Sequence, residues 1–398
     1  MPINVKGLFE TLQYKANNID SSTSTAEILD TLKAIQRIDG NTIISYDSDG
    51  AFPDASTTNV KIGYNNQTGA VKFNNGTWDT LTIELGTPPQ TFSSFQGTQY
   101  GYVLGGSAPN QPYGVMQKYS FASDGNSTEV GEIYNTTNYI SPTNTTNGQW
   151  WKVAGQSSST HGYTTGSYVP APLQPGSAIY NKFPFAADQT TIEIGDITVA
   201  RFYATGHSSD VSGYTAGGQS SPLTPDFSDT IDKFPFSTDA YATDVGDLTL
   251  LRTEISGSSS SNYGYSHGGK YTGSTASRDT IDKYPFATDA NATDVGNLIA
   301  VSTDGSGQNS DTHGYRAHSN VIQKFSFSAD GNATDVGDLI VSKSGGILAG
   351  TSSTSSGYVA GGSSNNAIEK FPFSTDANSS DVGDLIVGGF FDAAPAQV

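Results

Sequence analysis

Residues 231–250 read IDKFPFSTDAYATDVGDLTL, and the stretch recurs as IDKYPFATDANATDVGNLIA from Ile281 and IEKFPFSTDANSSDVGDLIV from Ile368. Aligned on the lysine ahead of the aromatic pair, copies stand at Lys118, Lys182, Lys233, Lys283, Lys324 and Lys370. A repeat of this kind outranks other signals, because each unit is one supersecondary piece that must bury its faces on its neighbours.

Counting from each lysine shows what stays fixed. An aromatic follows at once and Phe stands two residues after the lysine's neighbour, as in Phe234 and Phe236, so both rings point to one face of a strand. Pro lies between the rings in four copies, with Ser120 and Ser326 in the others. Proline donates nothing to a ladder, which predicts a place near a sheet edge or an amide position facing away from its neighbour. Asp comes six residues after every lysine (Asp124, Asp188, Asp239, Asp289, Asp330, Asp376) and predicts a turn opened by a carboxylate accepting backbone hydrogen bonds. An acid, Val or Ile, and then Gly (Gly131, Gly195, Gly246, Gly296, Gly337, Gly383) lead into a second strand.

A second phrase, Gly-Tyr, begins at Gly101, Gly162, Gly213, Gly264, Gly314 and Gly357, at spacings of 61, 51, 51, 50 and 43 residues. Each unit therefore reads as a Gly-Tyr strand, a loop, the K-F-P-F strand, a turn, the V-G-D-L strand and a variable segment able to supply a fourth strand. About fifty residues and about four strands per unit describe a propeller blade. The expected fold is mainly β: a six-bladed β-propeller with four-stranded blades over residues 91–398, preceded by a small N-terminal α+β assembly region.

The units resemble kelch repeats, in which a hydrophobic strand ends in Gly-Gly and a strand with a central aromatic follows. They depart from kelch in carrying Val or Ile where that family has Trp after the turn. The phrase F-P-F-x-x-D-x-N-A-T-D-V-G-D-L is also similar to repeats in structural proteins of tailed bacteriophages, marine ones in particular.

Residues 1–90 have a different grammar. Ser24 and Glu27 form a capping box ahead of Ile28, Leu29, Leu32, Ile35 and Ile38, with Asp39-Gly40 as a stop, so 1–45 is read as a helical segment. A lone helix of about fifteen residues is marginal, so its apolar stripe needs a partner, either the earlier segment VKGLFETLQYKANNI or a second copy of the chain. Residues 46–90 alternate apolar and polar at Val60, Ile62 and Tyr64, then Val71 and Phe73, and read as a small hairpin module and linker. This part looks like the attachment modules of phage fibre and tail proteins. A closing strand lent to the propeller by 80–84 is the alternative.

Composition narrows the partners. Only 14% of residues are charged and the net charge is −19, which argues against nucleic-acid backbones and membrane surfaces. The chain has no cysteine, which excludes disulfides and cysteine zinc sites. Its start shows no basic region followed by an apolar stretch, so no signal peptide is expected, and no window is apolar enough to predict membrane insertion.

Candidate chemistry is sparse. Gly264-Tyr265-Ser266-His267-Gly268 satisfies G-x-S-x-G, but it occupies the slot of GYTAG and GYVAG in sister units and reads as a coincidence of the repeat. His161 and His313 share the position just ahead of Gly-Tyr, so a ring would hold them at similar heights; with Tyr163 and Tyr315 they are candidates to line a ligand site, polar loop residues being the plainer reading. Trp150 and Trp151, in the longest spacing, suit stacking on a sugar or anchoring a protein partner, or filling the space between blades. No cofactor is expected. Recurring acids such as Asp239, Asp244 and Asp247 raise calcium as a remote option, although no known calcium-loop spacing is present.

The resemblance implies a non-enzymatic phage virion structural protein, a tail- or capsid-surface fibre or adhesin assembled in the host cytoplasm. Residues 1–90 would bind other virion proteins, the propeller loops would take a host-surface glycan or protein, and the protein would be a homo-oligomer. The alternatives are a purely architectural nozzle, collar or decoration protein, and a polysaccharide depolymerase.

Overall fold

In the computed structural model the two repeated phrases are neighbours in one sheet. Tyr214 faces Lys233 across an antiparallel ladder, and Lys233 faces Thr243 on its other side. The structure describes residues 96–106, 114–133, 153–168, 176–220, 226–271, 277–343, 348–362, 365–386 and 392–398, with the backbone of four short strands before them. Trp150, Trp151 and the helix read ahead of residue 40 lie outside the described residues.

The chain divides into two units, Met1–Thr91 and Phe92–Val398. In the first, Ile62–Asn65, Val71–Asn74 and Trp78–Leu81 form an antiparallel meander, with Ile62 opposite Phe73 and Phe73 opposite Asp79. A fourth strand, Ile43–Tyr46, pairs in parallel with Ile62–Asn65. The end of the stretch read as helical is therefore strand, and Trp78–Leu81 belongs to this sheet.

The second unit is a six-bladed β-propeller of four-stranded antiparallel blades. Blade 1 runs Ala394–Gln397, Tyr100–Leu104, Val115–Ser120, Thr128–Glu132. Blades 2 to 6 begin with Ala154–Ser157, Thr205–Ser208, Ser256–Ser259, Ser306–Asn309 and Ala349–Ser352. They end with Ile192–Asp196, Thr243–Asp247, Thr293–Ser302, Thr334–Lys343 and Ser380–Asp384. In blade 5 the run His313–Ser326 supplies both middle strands, turning at Ser319, where φ is 55°. The ring closes through the C-terminal strand, Ala394 opposite Leu104 and Gln397 opposite Gly101, whereas Thr80 and Leu81 pair with Lys72 and Val71 in the first unit.

The K-F-P-F strand is the third of four, so it is not an edge strand. Phe236 donates its amide to the Val211 carbonyl, and alternation along the ladder then turns the Pro235 nitrogen away from the second strand. On that side the ladder with the fourth strand has already ended at Lys233. The missing N–H has nothing to bond there.

What the repeated phrase fixes is contact between blades. Each Gly-Tyr tyrosine packs against the aromatic pair of the next blade: Tyr102 on Phe183 and Phe185, Tyr163 on Phe234 and Phe236, Tyr214 on Tyr284 and Phe286. The series continues with Tyr265 on Phe325 and Phe327, Tyr315 on Phe371 and Phe373, and Tyr358 on Tyr119 and Phe121. Such ring pairs add about 0.5–1.5 kcal/mol each beyond the area they bury.

The aspartate six residues after each lysine joins the same scheme. Lys118 pairs with Asp188, Lys182 with Asp239, Lys233 with Asp289, Lys283 with Asp330, Lys324 with Asp376 and Lys370 with Asp124, at 2.5–3.1 Å. These carboxylates clasp the preceding blade, and the expected turn-capping role falls in two copies to Ser120 and Ser326, whose hydroxyls accept amides two and three residues on.

Candidate functional site: the propeller axis

The first strands of the six blades stand side by side around the axis, and their sequences, AGQS, TGHS, SGSS, SGQN, AGTS and APAQ, share a pattern. In blade 2 the Ser158 amide donates to the His161 carbonyl, which fixes the hairpin register. Alternation then points the backbone groups of Ser157 and Gly155 away from the second strand and toward the axis. The same register holds in the other blades, so Gly155, Gly206, Gly257, Gly307, Gly350 and Pro395 form a waist. A Cβ at Gly206 or Gly307 would collide with the carbonyl of Gly155 or Gly257 on the preceding strand. Pro395 fits because the amide it lacks would face the axis.

Third positions of these strands reach the next blade. Gln156 Nε2 donates to the Tyr214 carbonyl, Ser258 Oγ to that of Tyr315 and Gln308 Nε2 to that of Tyr358, at 3.0–3.3 Å. His207 Nε2 lies 3.0 Å from the Tyr265 carbonyl and its Nδ1 2.8 Å from the Tyr284 hydroxyl, which defines a neutral ring with the proton on Nε2. Burial pushes its pKa down to about 4.

Fourth positions link side chain to backbone around the axis. The amides of Ser157, Ser208, Asn309, Ser352 and Gln397 donate to Ser208 Oγ, Ser259 Oγ, Ser352 Oγ, Gln397 Oε1 and Ser157 Oγ in turn, at 2.5–3.2 Å. Inside this belt lies a cavity of about 60 Å³, walled by Ser157, Ser208, Ser259, Asn309 and Gln397 above the glycine waist.

On the other side of the waist a second cavity, about 40 Å³, is lined by Val153, Ala204, Ile255, Leu348 and Ala393. Just ahead of the first strands, Tyr203, Glu254, Asp304 and Asp392 all take left-handed φ angles of 55–58°. Tyr203 Oη donates to Asp392 Oδ2 at 3.4 Å, and burial with the Asp392 charge holds the phenol well above its usual range. Lys270 pairs with Glu254 at 2.6 Å.

Among the described residues three fully buried ion pairs join the end of a fourth strand, or the crossover after it, to the third strand of the next blade: Arg201–Asp232 at 2.8 Å, Arg252–Asp282 at 2.7 Å and Lys343–Glu369 at 3.6 Å. Burial pulls the cations down and the paired carboxylates oppose it. Asp282 also accepts the Thr249 amide and hydroxyl, as Asp232 does for Thr198, so the acid ahead of the lysine anchors the crossover from the preceding blade.

His161 and His313 sit at the inner hairpin turns of blades 2 and 5, which are opposite in a ring of six. Each Nδ1 meets a neighbouring threonine hydroxyl, Thr160 at 2.9 Å and Thr312 at 2.8 Å. Burial, then Lys182 or Lys324, lowers their pKa values. Tyr163 and Tyr315 are buried in the aromatic contacts between blades. Ser266 of the G-x-S-x-G segment is buried in a second strand with its Oγ 3.5 Å from His207 Nε2, and no strand-turn-helix elbow surrounds it. Among the described residues no group of three or more His, Asp or Glu is placed to hold a metal ion.

The axial belt has no motif of its own, but one sequence signal marks it. Ser158, Ser209, Ser260, Ser310 and Ser353 stand four residues ahead of Gly-Tyr, and each hydroxyl accepts the amide three residues on. That fixed serine marks a hairpin turn, and so a strand before it.

The fold and its axial geometry define the chain as a six-bladed β-propeller with its ring closed by the C-terminal strand. No protein-family model matches the chain, and no curated protein does. The kelch and phage resemblances rest on the repeat residues themselves.

Proposed function

We propose that this is a non-enzymatic virion structural protein of a tailed phage, a tail- or capsid-surface adhesin whose propeller recognises a host-surface glycan or protein. The supporting observation is how the repeat is used. Its fixed aromatics, lysines and aspartates are engaged between blades, whereas the slot ahead of Gly-Tyr varies as Tyr100, His161, Ser212, Tyr263, His313 and Ser356. Nearby, Val211 and Tyr241 are each 70% exposed. A rigid ring displaying variable side chains suits recognition. Glycan-array binding by the full chain tests this; absence of binding to any host glycan or host-surface protein would remove it.

A second reading is architectural, and one observation favours it. Ile299, Val301, Ile340 and Ile386 are exposed on or beside the outermost strands of blades 4, 5 and 6. Apolar groups gathered along an outer rim suit contact with other virion proteins. A cryo-EM map of the native particle showing this rim buried and both faces of the ring covered would select it.

A further inference from the structure

We propose that the axial cavity inside the serine belt is a binding site for a small oxyanion, either a free inorganic ion or a carboxylate at the end of a larger ligand. Ser157, Ser208 and Ser259 each accept one backbone amide, from Gln397, Ser157 and Ser208. A hydroxyl that accepts a bond still carries a proton to donate, and among the described residues none of the three hydroxyls donates to a protein acceptor. Asn309 lines the same cavity, is 8% exposed, and its Nδ2 has no partner among the described residues. Blades 2 to 5 thus each contribute one donor lacking an acceptor, and buried donors in native proteins are matched.

The rest of the wall supplies no formal charge, and its one acceptor side-chain atom without a partner among the described residues is Gln156 Oε1. Gln156, His207, Ser258, Pro395 and Ala396 complete it with the waist glycines, and none bears a charge while His207 stays neutral. Neutral donors arranged around a small space hold an oxyanion through several hydrogen bonds without a countercharge, as backbone nests do. A cavity of about 60 Å³ admits a nitrate or a carboxylate head. This site is separate from the variable positions invoked for recognition and does not depend on that role.

Isothermal titration of the full chain with sodium nitrate, sodium acetate and sodium glucuronate, at constant ionic strength, tests the proposal. Saturable binding of nitrate or acetate is expected, and glucuronate binding as well would indicate a carboxylate presented by a larger ligand. Asn309→Asp keeps the shape and replaces a donor by a charged acceptor, so it should weaken binding about tenfold or more while the melting temperature stays near that of the parent. Asn309→Gln, which retains the donor, should bind more tightly than Asn309→Asp. No saturable binding up to about 0.1 M, or a crystal structure soaked in nitrate that shows water alone on the axis, would overturn the proposal. Tighter binding of sodium or calcium ions by Asn309→Asp, with no loss of nitrate affinity, would do the same.

Discussion

Lys370 Nζ lies 3.1 Å from Asp124 Oδ1, a pair that joins the last blade to the first. It completes a circle in which the lysine of each blade holds the aspartate of the next. The aspartates are about half exposed, from 48% to 59%. Ion pairs of that exposure contribute about 0–1 kcal/mol. Asp124→Ala should therefore lower stability by about 0.5 kcal/mol in denaturant titration, with the effect fading at about 1 M salt. Lys370→Ala should cost slightly more, because its ammonium also lies 5.8 Å from the Tyr358 ring centre. A loss above about 2 kcal/mol for Asp124→Ala would show that the clasps carry the ring, contrary to this ranking.

The sealed pairs behave differently. Arg252 and Asp282 are both fully buried, and Arg252 also donates to the Gly268, Thr280 and Ser266 carbonyls. Asp282→Ala leaves that guanidinium uncompensated and should cost about 3–5 kcal/mol. The pair Arg252→Met with Asp282→Leu should be milder than Asp282→Ala alone, because no buried charge then lacks a partner. Chemical denaturation of the single and double variants checks the order.

His207 gives a pH dependence with a definite sign. Its folded pKa is about 4 against an ordinary 6.5, so the unfolded chain binds the proton more readily. The contribution is fully present above pH 6.5 and is lost as pH falls from 6.5 to about 4, amounting to about 3 kcal/mol for this shift. Fully buried His267, held low by burial and by Arg316, works in the same direction. Stability measured at pH 7 and pH 4.5 should fall less for His207→Gln than for the parent. An identical fall in both would show that His207 charges without cost.

Much of this ring was legible because a blade cannot bury its faces alone. The Tyr163, Phe234 and Phe236 triad and the Lys182–Asp239 clasp must recur wherever two blades meet, so the interface writes itself into the repeat. Which residue touches which neighbour was not legible, because Asp239 is equally suited to capping its own turn and to reaching Lys182. The variable segment does supply a fourth strand, but its place on the axis was not legible for a related reason. Short strands of Gly, Ser, Thr and Ala such as SGSS have no apolar alternation, since their task is close approach around the axis. The ends of the second strands carry the same lesson in reverse: His318 takes the place of a glycine in blade 5, and the turn follows at Ser319.

The glycine of V-G-D-L allows close approach to be separated from backbone conformation. Gly246 has φ 153°, and a Cβ there would lie 2.6 Å from the Ala290 carbonyl oxygen of the next blade. Gly125 has φ 157°, yet a Cβ there would meet nothing within 4 Å. Gly331 is open too, without the unusual φ. Alanine at Gly331 should change stability by less than about 0.5 kcal/mol, and alanine at Gly125 should cost about 1–3 kcal/mol for conformation alone. Alanine at Gly246 carries that cost and must also force blades 3 and 4 apart, so it should exceed Gly125→Ala by about 2 kcal/mol. Equal losses at Gly125 and Gly246 in thermal unfolding would mean that the glycine is kept for its φ and that the blades yield easily at this contact.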